Sequence, residues 1–384
     1  MTESDKNLQK QCFHIDGRLF SPKNPLIIAE LGTSHNGDIK KAKEMISAAA
    51  ETGADCVKFQ IVYADEILSP NTGIVPLPGG NIRLYDKFKA LEMPAVFYEE
   101  IKEYTEKQGL LFLCTPFGMK SAALLKKLEP KMVKIASPEL NYTSLLEEIA
   151  TWNLPILLSS GVSRLSDIED ALDLLRFDNG SNSVCANRVC LLHCVTSYPA
   201  PETDYNLKVL PNLSNIFDVP VGISDHSAGT EIVASLAVSL GALVIEKHFC
   251  LSRKDPGLDD PIALPVQEFS AMVKAIRNGA GLSLEEKIAY YNSKYDISFL
   301  QAILGDGVKK LAPCEKQNYR LTNRSIHALR NIKAGEILTR SDYAVLRTEK
   351  VLRPGLPPSM EKTIEGRVAR NDIPEGEGIR FEDI

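Results

Sequence analysis

The 384-residue sequence contains no apolar run approaching the roughly 20 residues of a bilayer-spanning helix, which argues against a membrane protein. Its first residues, MTESDKNLQKQ, lack the apolar stretch of a secretory signal, so a cytoplasmic location is expected. Positive charge is not in excess. With 44 Lys and Arg against 50 Asp and Glu, the net charge is −6, and a nucleic-acid partner is not expected. No CxxC pair occurs among Cys12, Cys56, Cys114, Cys185, Cys190, Cys194, Cys250 and Cys314, so neither a zinc site nor a disulfide framework is indicated. Cys56, Cys114 and Cys194 sit inside apolar runs, where a reduced thiol behaves as a small hydrophobe.

The length exceeds one ordinary domain, although an α/β barrel alone reaches about 250 residues. Apolar, strand-like runs recur at 26–30, 56–60, 110–115, 132–136, 156–159, 189–195, 219–224 and 242–247. They are continuous rather than alternating, as strands buried on both faces should be. Helical patterns lie between them at 38–51, 95–107, 120–128, 144–150, 166–175 and 231–240, and another follows at 266–277. Eight strands alternating with helices predict a (β/α)8 barrel over 1–281. Residues 64–93 read as an insertion on the loop face where barrel active sites lie. Residues 282–320 read as a helical linker, and 321–384 as a small β module. The module holds an internal echo, Ile332-Lys-Ala-Gly-Glu-Ile against Ile373-Pro-Glu-Gly-Glu-Gly, with an acidic residue following near Asp342 and Asp383.

Polar residues at the ends of the eight runs carry the chemistry. Glu30 closes the first, Lys58 and Gln60 the second, and Thr115 the third. Lys134, Ser137 and Glu139 follow the fourth, and Ser159-Ser160-Gly161 the fifth. The sixth ends in His193, Thr196, Ser197 and Tyr198, the seventh in Ser224-Asp225-His226, and the eighth in Glu246-Lys247-His248. Such groups are costly to bury without partners, and at the C-terminal ends of barrel strands they read as catalytic. Lys58 and Lys134, with Thr115 and the Ser160-Gly161 turn, suit a phosphate or carboxylate. His226 and His248 end adjacent strands, so their imidazoles are expected to converge on a divalent metal with open positions, Asp225 and Glu246 orienting the rings. His35 is a weaker candidate for lining the site, and His14 and His327 are weaker still. Glu30 follows an apolar run, so desolvation should raise its pKa into a range useful for proton transfer. A salt bridge to a barrel lysine is its other expected role.

In order, IIAELGTSHNG, CVKFQ, CTPF, KIASPE, SSGV, LLHCVTSYP, ISDHSAG and IEKHF resemble the sialic acid synthase family. LTNRSIHALRNIKAGEIL resembles that family's C-terminal antifreeze-like, or SAF, module. The resemblance implies an α/β fold, a (β/α)8 TIM barrel with a small β-clip-like SAF domain. It also implies condensation of phosphoenolpyruvate with the open-chain aldehyde of an N-acetylated hexose, giving a nonulosonic acid and phosphate. Carried over by motif, Glu30 is the catalytic carboxylate. Lys58, Thr115, Lys134, Ser137, Ser160, Gly161 and Ser224 fall at phosphoenolpyruvate contacts, and Gln60, Glu139, Tyr198 and Asp259 at sugar contacts. Thr196 and Asp225 complete the substrate-binding set. His226 and His248 match metal ligands, with Mn2+ the usual ion and Mg2+ or Co2+ as alternatives. Arg324 matches an arginine that reaches the sugar's acetamido group from the other subunit of a domain-swapped homodimer.

Three departures bear on the sugar. Ala136 and Pro138 stand in KIASPE where the family often shows KxGSGE, Thr196 stands where some members have Asn, and SRKDPGLDD is looser than the family pattern. The expected product is of the sialic, legionaminic or pseudaminic type, with a phosphorylated acceptor as an alternative. An aldolase using a Schiff-base lysine and a carbohydrate-binding module beside an idle barrel are the competing functional classes.

Overall fold

The computed structural model describes residues 12–77, 80–176 and 187–384. Eight strands form its centre: β1 (Leu26–Gly32), β2 (Cys56–Ile61), β3 (Leu111–Pro116), β4 (Val133–Ile135), β5 (Ile156–Ser159), β6 (Val189–Cys194), β7 (Val221–Asp225) and β8 (Val244–Cys250). They pair in parallel in the order β3-β2-β1-β8-β7-β6-β5-β4. The two end strands, β3 and β4, are neighbours, so the sheet curls into a nearly closed barrel. A helix follows each strand: α1 (Ile39–Glu51), α2 (Ala95–Lys107), α3 (Met119–Lys127), α4 (Thr143–Ala150), α5 (Leu165–Leu175), α6 (Val209–Phe217), α7 (Ile232–Ser239) and α8 (Val266–Gly279). The Asp38 side chain caps α1 by accepting from the Lys40 and Lys41 N–H groups.

Strand and helix positions follow the sequence periodicity to within a few residues, with two omissions. Helix α6 was not expected, because Pro211 reads as a breaker. It lies in the first turn, where a missing N–H leaves no gap in the ladder. The antiparallel hairpin of Phe13–Ile15 with Arg18–Phe20 was also not expected. Its two-residue Asp16-Gly17 turn has φ of 48° and 74°, the combination that Asp-Gly hairpin turns favour.

Strand pleating sorts the barrel residues into two sets. Leu26, Ile28, Cys56, Leu111, Leu113, Leu157, Cys190, Leu192 and Val244 point inward and pack with Phe13, Ile15 and Phe20 of the hairpin, forming an apolar floor. The intervening residues, among them Ile27, Val57, Phe112, Val133, Leu191, Ile223 and Ile245, face the helices. Continuing the inward set toward the C-terminal strand ends gives Glu30, Lys58, Gln60, Thr115, Lys134, Ser159, Ser224, Glu246 and His248. Polar residues therefore replace apolar ones at one level of the barrel.

Beyond the barrel, α9 (Leu284–Asn292) and α10 (Ile297–Leu304) occupy the region read as a linker. They are packed elements. Lys287 Nζ donates to the Ser235 carbonyl on α7 at 2.6 Å, and the Leu207 N–H donates to the Ile303 carbonyl at 3.0 Å. In the C-terminal module, β9 (Ser325–Ala328) pairs antiparallel with β10 (Tyr343–Leu346). The two copies of the sequence echo pair with each other, Ile332 and Ile373 exchanging backbone hydrogen bonds of 2.9 and 2.8 Å. Gly335 and Gly376 adopt matching φ values of 90° and 89°, the left-handed turns that glycine permits. Asp342 and Asp383 likewise each accept a backbone N–H three residues back.

Cys56, Cys114, Cys190, Cys194, Cys250 and Cys314 are free thiols. Cys12 departs from the expectation of reduced cysteines, being disulfide-bonded. Cys185 lies outside the described residues. Among the described residues, no helix is long and apolar enough to cross a membrane.

Gly222 on β7 marks the tightest point of the barrel wall. A Cβ there would lie 2.5 Å from the Val244 carbonyl oxygen and 2.7 Å from Leu192 Cδ2. Gly222→Ala is expected to cost about 1–3 kcal/mol through overpacking. Chemical denaturation checks this, and an unchanged midpoint would contradict the packing described.

Candidate active site

Directly above the apolar floor, Lys58 Nζ lies 3.2 Å from Glu30 Oε2 and 3.4 Å from Glu246 Oε1. All three side chains are buried. Gln60 Nε2 donates to Glu30 Oε1 at 2.7 Å, and Ser224 Oγ donates to Glu246 Oε1 at 2.8 Å. Burial pushes the Glu30 carboxyl from 4.5 up to about 7 despite the opposing pull of Lys58. Burial acts the same way on Glu246, but Lys134, Lys58 and the Ser224 hydroxyl together hold it at about 2. Two carboxylates sharing one ammonium are thus driven apart in acidity, as a site that moves protons requires. Glu246 Oε2 is buried without a hydrogen-bond partner, which leaves an acceptor open to a ligand group or water.

Lys134 rises from β4 beside this pair, donating to Ser159 Oγ at 2.6 Å and to the Ile135 carbonyl at 2.9 Å. Burial lowers its pKa to about 8. Next to it, the Gly161 N–H donates to Ser137 Oγ at 3.0 Å. A Cβ on Gly161 would collide with the Thr196 hydroxyl and lie 2.8 Å from Ser137 Oγ, so the turn after β5 needs glycine for this close approach. Lys134, Ser137, Gly161 and Thr196 therefore line one small polar cradle. Thr115 Oγ1 is 3.5 Å from Lys58 Nζ on the opposite side.

His226 and His248 have ring centroids 5.5 Å apart. His226 Nδ1 lies 2.9 Å from the Val195 carbonyl, an acceptor that only a protonated Nδ1 can serve, so Nε2 is the nitrogen that could bind a metal. Nε2 is 3.3 Å from the Tyr198 hydroxyl and 3.4 Å from Ser224 Oγ. The Tyr198 ring stacks on His226 at 4.3 Å. Asp259 Oδ2 is 3.8 Å from His248 Nδ1, and burial raises the Asp259 pKa to about 6. Gly32 brings Asp259 next to Glu30 and Gln60, all three approaching to within 3.5 Å of where its Cβ would be. Among the described residues no group of three His, Cys, Asp or Glu side chains is placed to enclose an ion. The donor set is two neighbouring imidazoles, which fits a metal that leaves positions for substrate rather than a closed structural site.

Several expected site residues are directed elsewhere. Asp225 has the outward parity of β7. Its Oδ1 accepts from Tyr205 and from the Ser227 N–H, and its Oδ2 pairs with Lys247 Nζ at 2.8 Å behind the barrel wall. It therefore neither lines the mouth nor touches the imidazole ring of His226. His193 shares the outward parity and lies under the Tyr205 carbonyl, 2.6 Å away. His35 packs between Phe59 and Phe97 in the core. The Ser160 hydroxyl is turned to the Leu192 carbonyl at 3.1 Å.

Glu139 and Arg324, both expected at the sugar, are paired with each other in this structure. The Arg324 side chain is fully buried, with Nη2 2.9 Å from Glu139 Oε1, Nη1 donating to the Glu66 carbonyl and Nη2 to the Phe117 carbonyl, each at 2.5 Å. Arg347 adds a second contact to Glu139 Oε1 at 2.5 Å. A guanidinium and a carboxylate removed from water must pair, and these two pair with each other. The module thereby docks on the barrel of its own chain, against the 64–93 insertion, where the Arg347 N–H donates to the Ile67 carbonyl at 2.9 Å. Exchange of modules between subunits is not needed to bring it there. Arg347 and Glu66, which also caps α3, carry no local sequence signal, because their partners are distant in the chain.

Comparison with known proteins agrees with this architecture. Residues 45–287 match the NeuB family and residues 323–384 match the SAF domain. The N,N'-diacetyllegionaminic acid synthase of Campylobacter jejuni is 34% identical over 93% of this chain and 99% of its own. The crystal structure of the Bacillus subtilis spore coat polysaccharide biosynthesis protein SpsE superposes with a TM-score of 0.79 at 33% identity, covering 97% of this chain and 99% of that one. The N-acetylneuraminic acid synthetase of Leptospira borgpetersenii, solved with citrate, gives 0.63 at 32% identity over 74% of this chain and 98% of its own.

Glu30 links the site to stability. Because folding raises its pKa from 4.5 to about 7, its burial is tolerated below pH 4.5 and destabilises increasingly as the pH climbs through 7. Glu30→Gln removes the ionisation, so at pH 8 the variant is expected to melt above the wild type, with the gap narrowing toward pH 4. A gap that does not change between the two pH values would show that Glu30 is not held against its charge.

Proposed function

Because the chain belongs to the NeuB family, we propose that it condenses phosphoenolpyruvate with the open-chain aldehyde of an N-acetylated hexose and water, releasing phosphate and a nonulosonic acid. The observation that carries this reading is the buried layer of Glu30, Lys58, Glu246 and Lys134 beside the Gly161 cradle. It offers two ammonium groups and a hydroxyl-lined turn to a doubly anionic substrate, and a near-neutral carboxylate to a proton. The Campylobacter relative favours a product of the legionaminic type.

In this reading Lys134, Ser137 and the Gly161 turn hold the phosphate, and Lys58 and Thr115 receive the substrate carboxylate. Carbon 3 of phosphoenolpyruvate attacks the aldehyde carbon, whose oxygen takes the proton of the Glu30 carboxylic acid and becomes a hydroxyl. Positive charge develops at carbon 2, where the neighbouring carboxylates Glu30 and Glu246 stabilise it. Water adds there as Glu30 accepts its proton, and the tetrahedral species collapses by C–O cleavage, releasing phosphate. Tyr198, Gln60 and Asp259 line the sugar side. A divalent ion such as Mn2+, held by His226 and His248, would polarise the aldehyde. A homodimer would follow if the Arg324–Glu139 contact were made between two copies instead of within one.

Three experiments test the reading. Incubation with phosphoenolpyruvate and a panel of N-acetylated hexoses should release phosphate and give a product of matching mass. With 18O in the bridging position of phosphoenolpyruvate, the label should leave with phosphate. No turnover across the panel, or label kept in the sugar acid, contradicts the mechanism. For the metal, chelation should abolish activity and Mn2+ restore it, and His226→Ala or His248→Ala should be inactive with an unchanged circular dichroism spectrum. Full turnover in excess chelator removes the metal from the scheme.

A further inference from the structure

The linker and the first residues of the module are bonded directly to the turns that form the cradle. Lys309 Nζ donates to the Ser160 carbonyl at 3.0 Å, and Asn323 Nδ2 donates to the Val162 carbonyl at 3.3 Å. Asn318 Nδ2 donates to the Thr196 carbonyl at 3.2 Å. Between them lies Glu315, itself buried, whose single oxygen Oε1 accepts the Val162 N–H at 2.8 Å and the Thr196 N–H at 2.7 Å. Its Oε2 is occupied by the Ala312 N–H at 3.1 Å. One carboxylate oxygen thus ties the turn after β5 to the turn after β6.

Val162 shows what this tie holds in place. It is β-branched and buried, yet its φ is 49°, in the left-handed region that such residues rarely enter. Conformations of this kind persist only where the surroundings over-determine them. Here Val162 is bound on both sides, by Glu315 of the linker at its N–H and by Asn323 at the start of the module at its carbonyl. The residue so fixed immediately follows Gly161, and the second N–H held by Glu315 belongs to Thr196, whose hydroxyl meets Gly161 across the cradle.

We propose that Glu315 is a positioning residue for the phosphate of phosphoenolpyruvate, setting the spacing of the two turns and holding Val162 in its left-handed conformation. The proposal rests on the assignment of the Gly161 cradle to that phosphate. A carboxylate behind an anion site is tolerable because three N–H dipoles terminate on it, two of them from the turns themselves. The linker is accordingly part of the substrate site as well as a tether for the module.

A double-mutant cycle tests this in the full-length enzyme. Glu315→Ala is expected to raise KM for phosphoenolpyruvate about tenfold while kcat at saturation and KM for the sugar change less than about threefold. Glu315→Gln, which keeps one carbonyl acceptor, should show a smaller rise. Val162→Gly removes the backbone strain, so in the Glu315→Ala background it should recover most of the lost affinity. An unchanged KM for phosphoenolpyruvate in Glu315→Ala overturns the proposal. So does a loss spread over kcat and both KM values that Val162→Gly does not relieve, because that pattern belongs to a merely structural residue. If Glu315→Ala does not fold, the Glu315→Gln and Val162→Gly pair reads the same coupling. Lys134→Met separates the two levels. If it leaves KM for phosphoenolpyruvate unchanged, the phosphate assignment itself fails, whereas a large effect beside a silent Glu315→Ala removes only the role of Glu315.

Discussion

Lys58 sits between two buried carboxylates, and most of the site follows from that placement. An ammonium and two carboxylates taken out of water carry a desolvation penalty of several kcal/mol per ion, recovered only where the pairing is close and the remaining polar atoms are bonded. Gln60 and Ser224 bond one oxygen of each acid. The other oxygen of Glu246 has no hydrogen bond, and that of Glu30 has only the 3.2 Å ion pair to Lys58. The network is therefore incomplete toward the mouth. Burial keeps Glu30 near neutral, whereas Lys134, Lys58 and the Ser224 hydroxyl hold Glu246 ionised against the same burial.

Below that layer the barrel interior is apolar and packs against the N-terminal hairpin. Above it, the C-terminal module and linker meet the loops. Arg324 and Arg347 converge on Glu139, and Glu66 in the insertion both caps α3 and offers its carbonyl to Arg324. Burial of Glu30, Lys58 and Glu246 strengthens every interaction within the layer. The module thus belongs to the electrostatics of the barrel even where it contributes no group to the mouth.

The sequence by itself determined the eight strands, the helices between them, the residue types at each strand end and the pseudo-symmetric module, whose echo became a mutual pairing of Ile332 with Ile373. These are local properties, set by hydrophobic period, capping and turn chemistry. The Asp16-Gly17 hairpin was equally local and could have been read from its turn dipeptide. Which strand-end residues face one another was decided only by the tertiary structure. Pleating sends Ser224 inward and Asp225 outward, so adjacent residues that looked equally suited part company, and barrel closure brings Glu30, Lys58 and Glu246 together from three strands. The Glu139–Arg324 pair and the clasp of Glu315 on Val162 and Thr196 join residues more than 100 positions apart. No local pattern encodes such pairs, because their cause is the need of a buried charge for a partner, and the fold alone decides which partner is within reach.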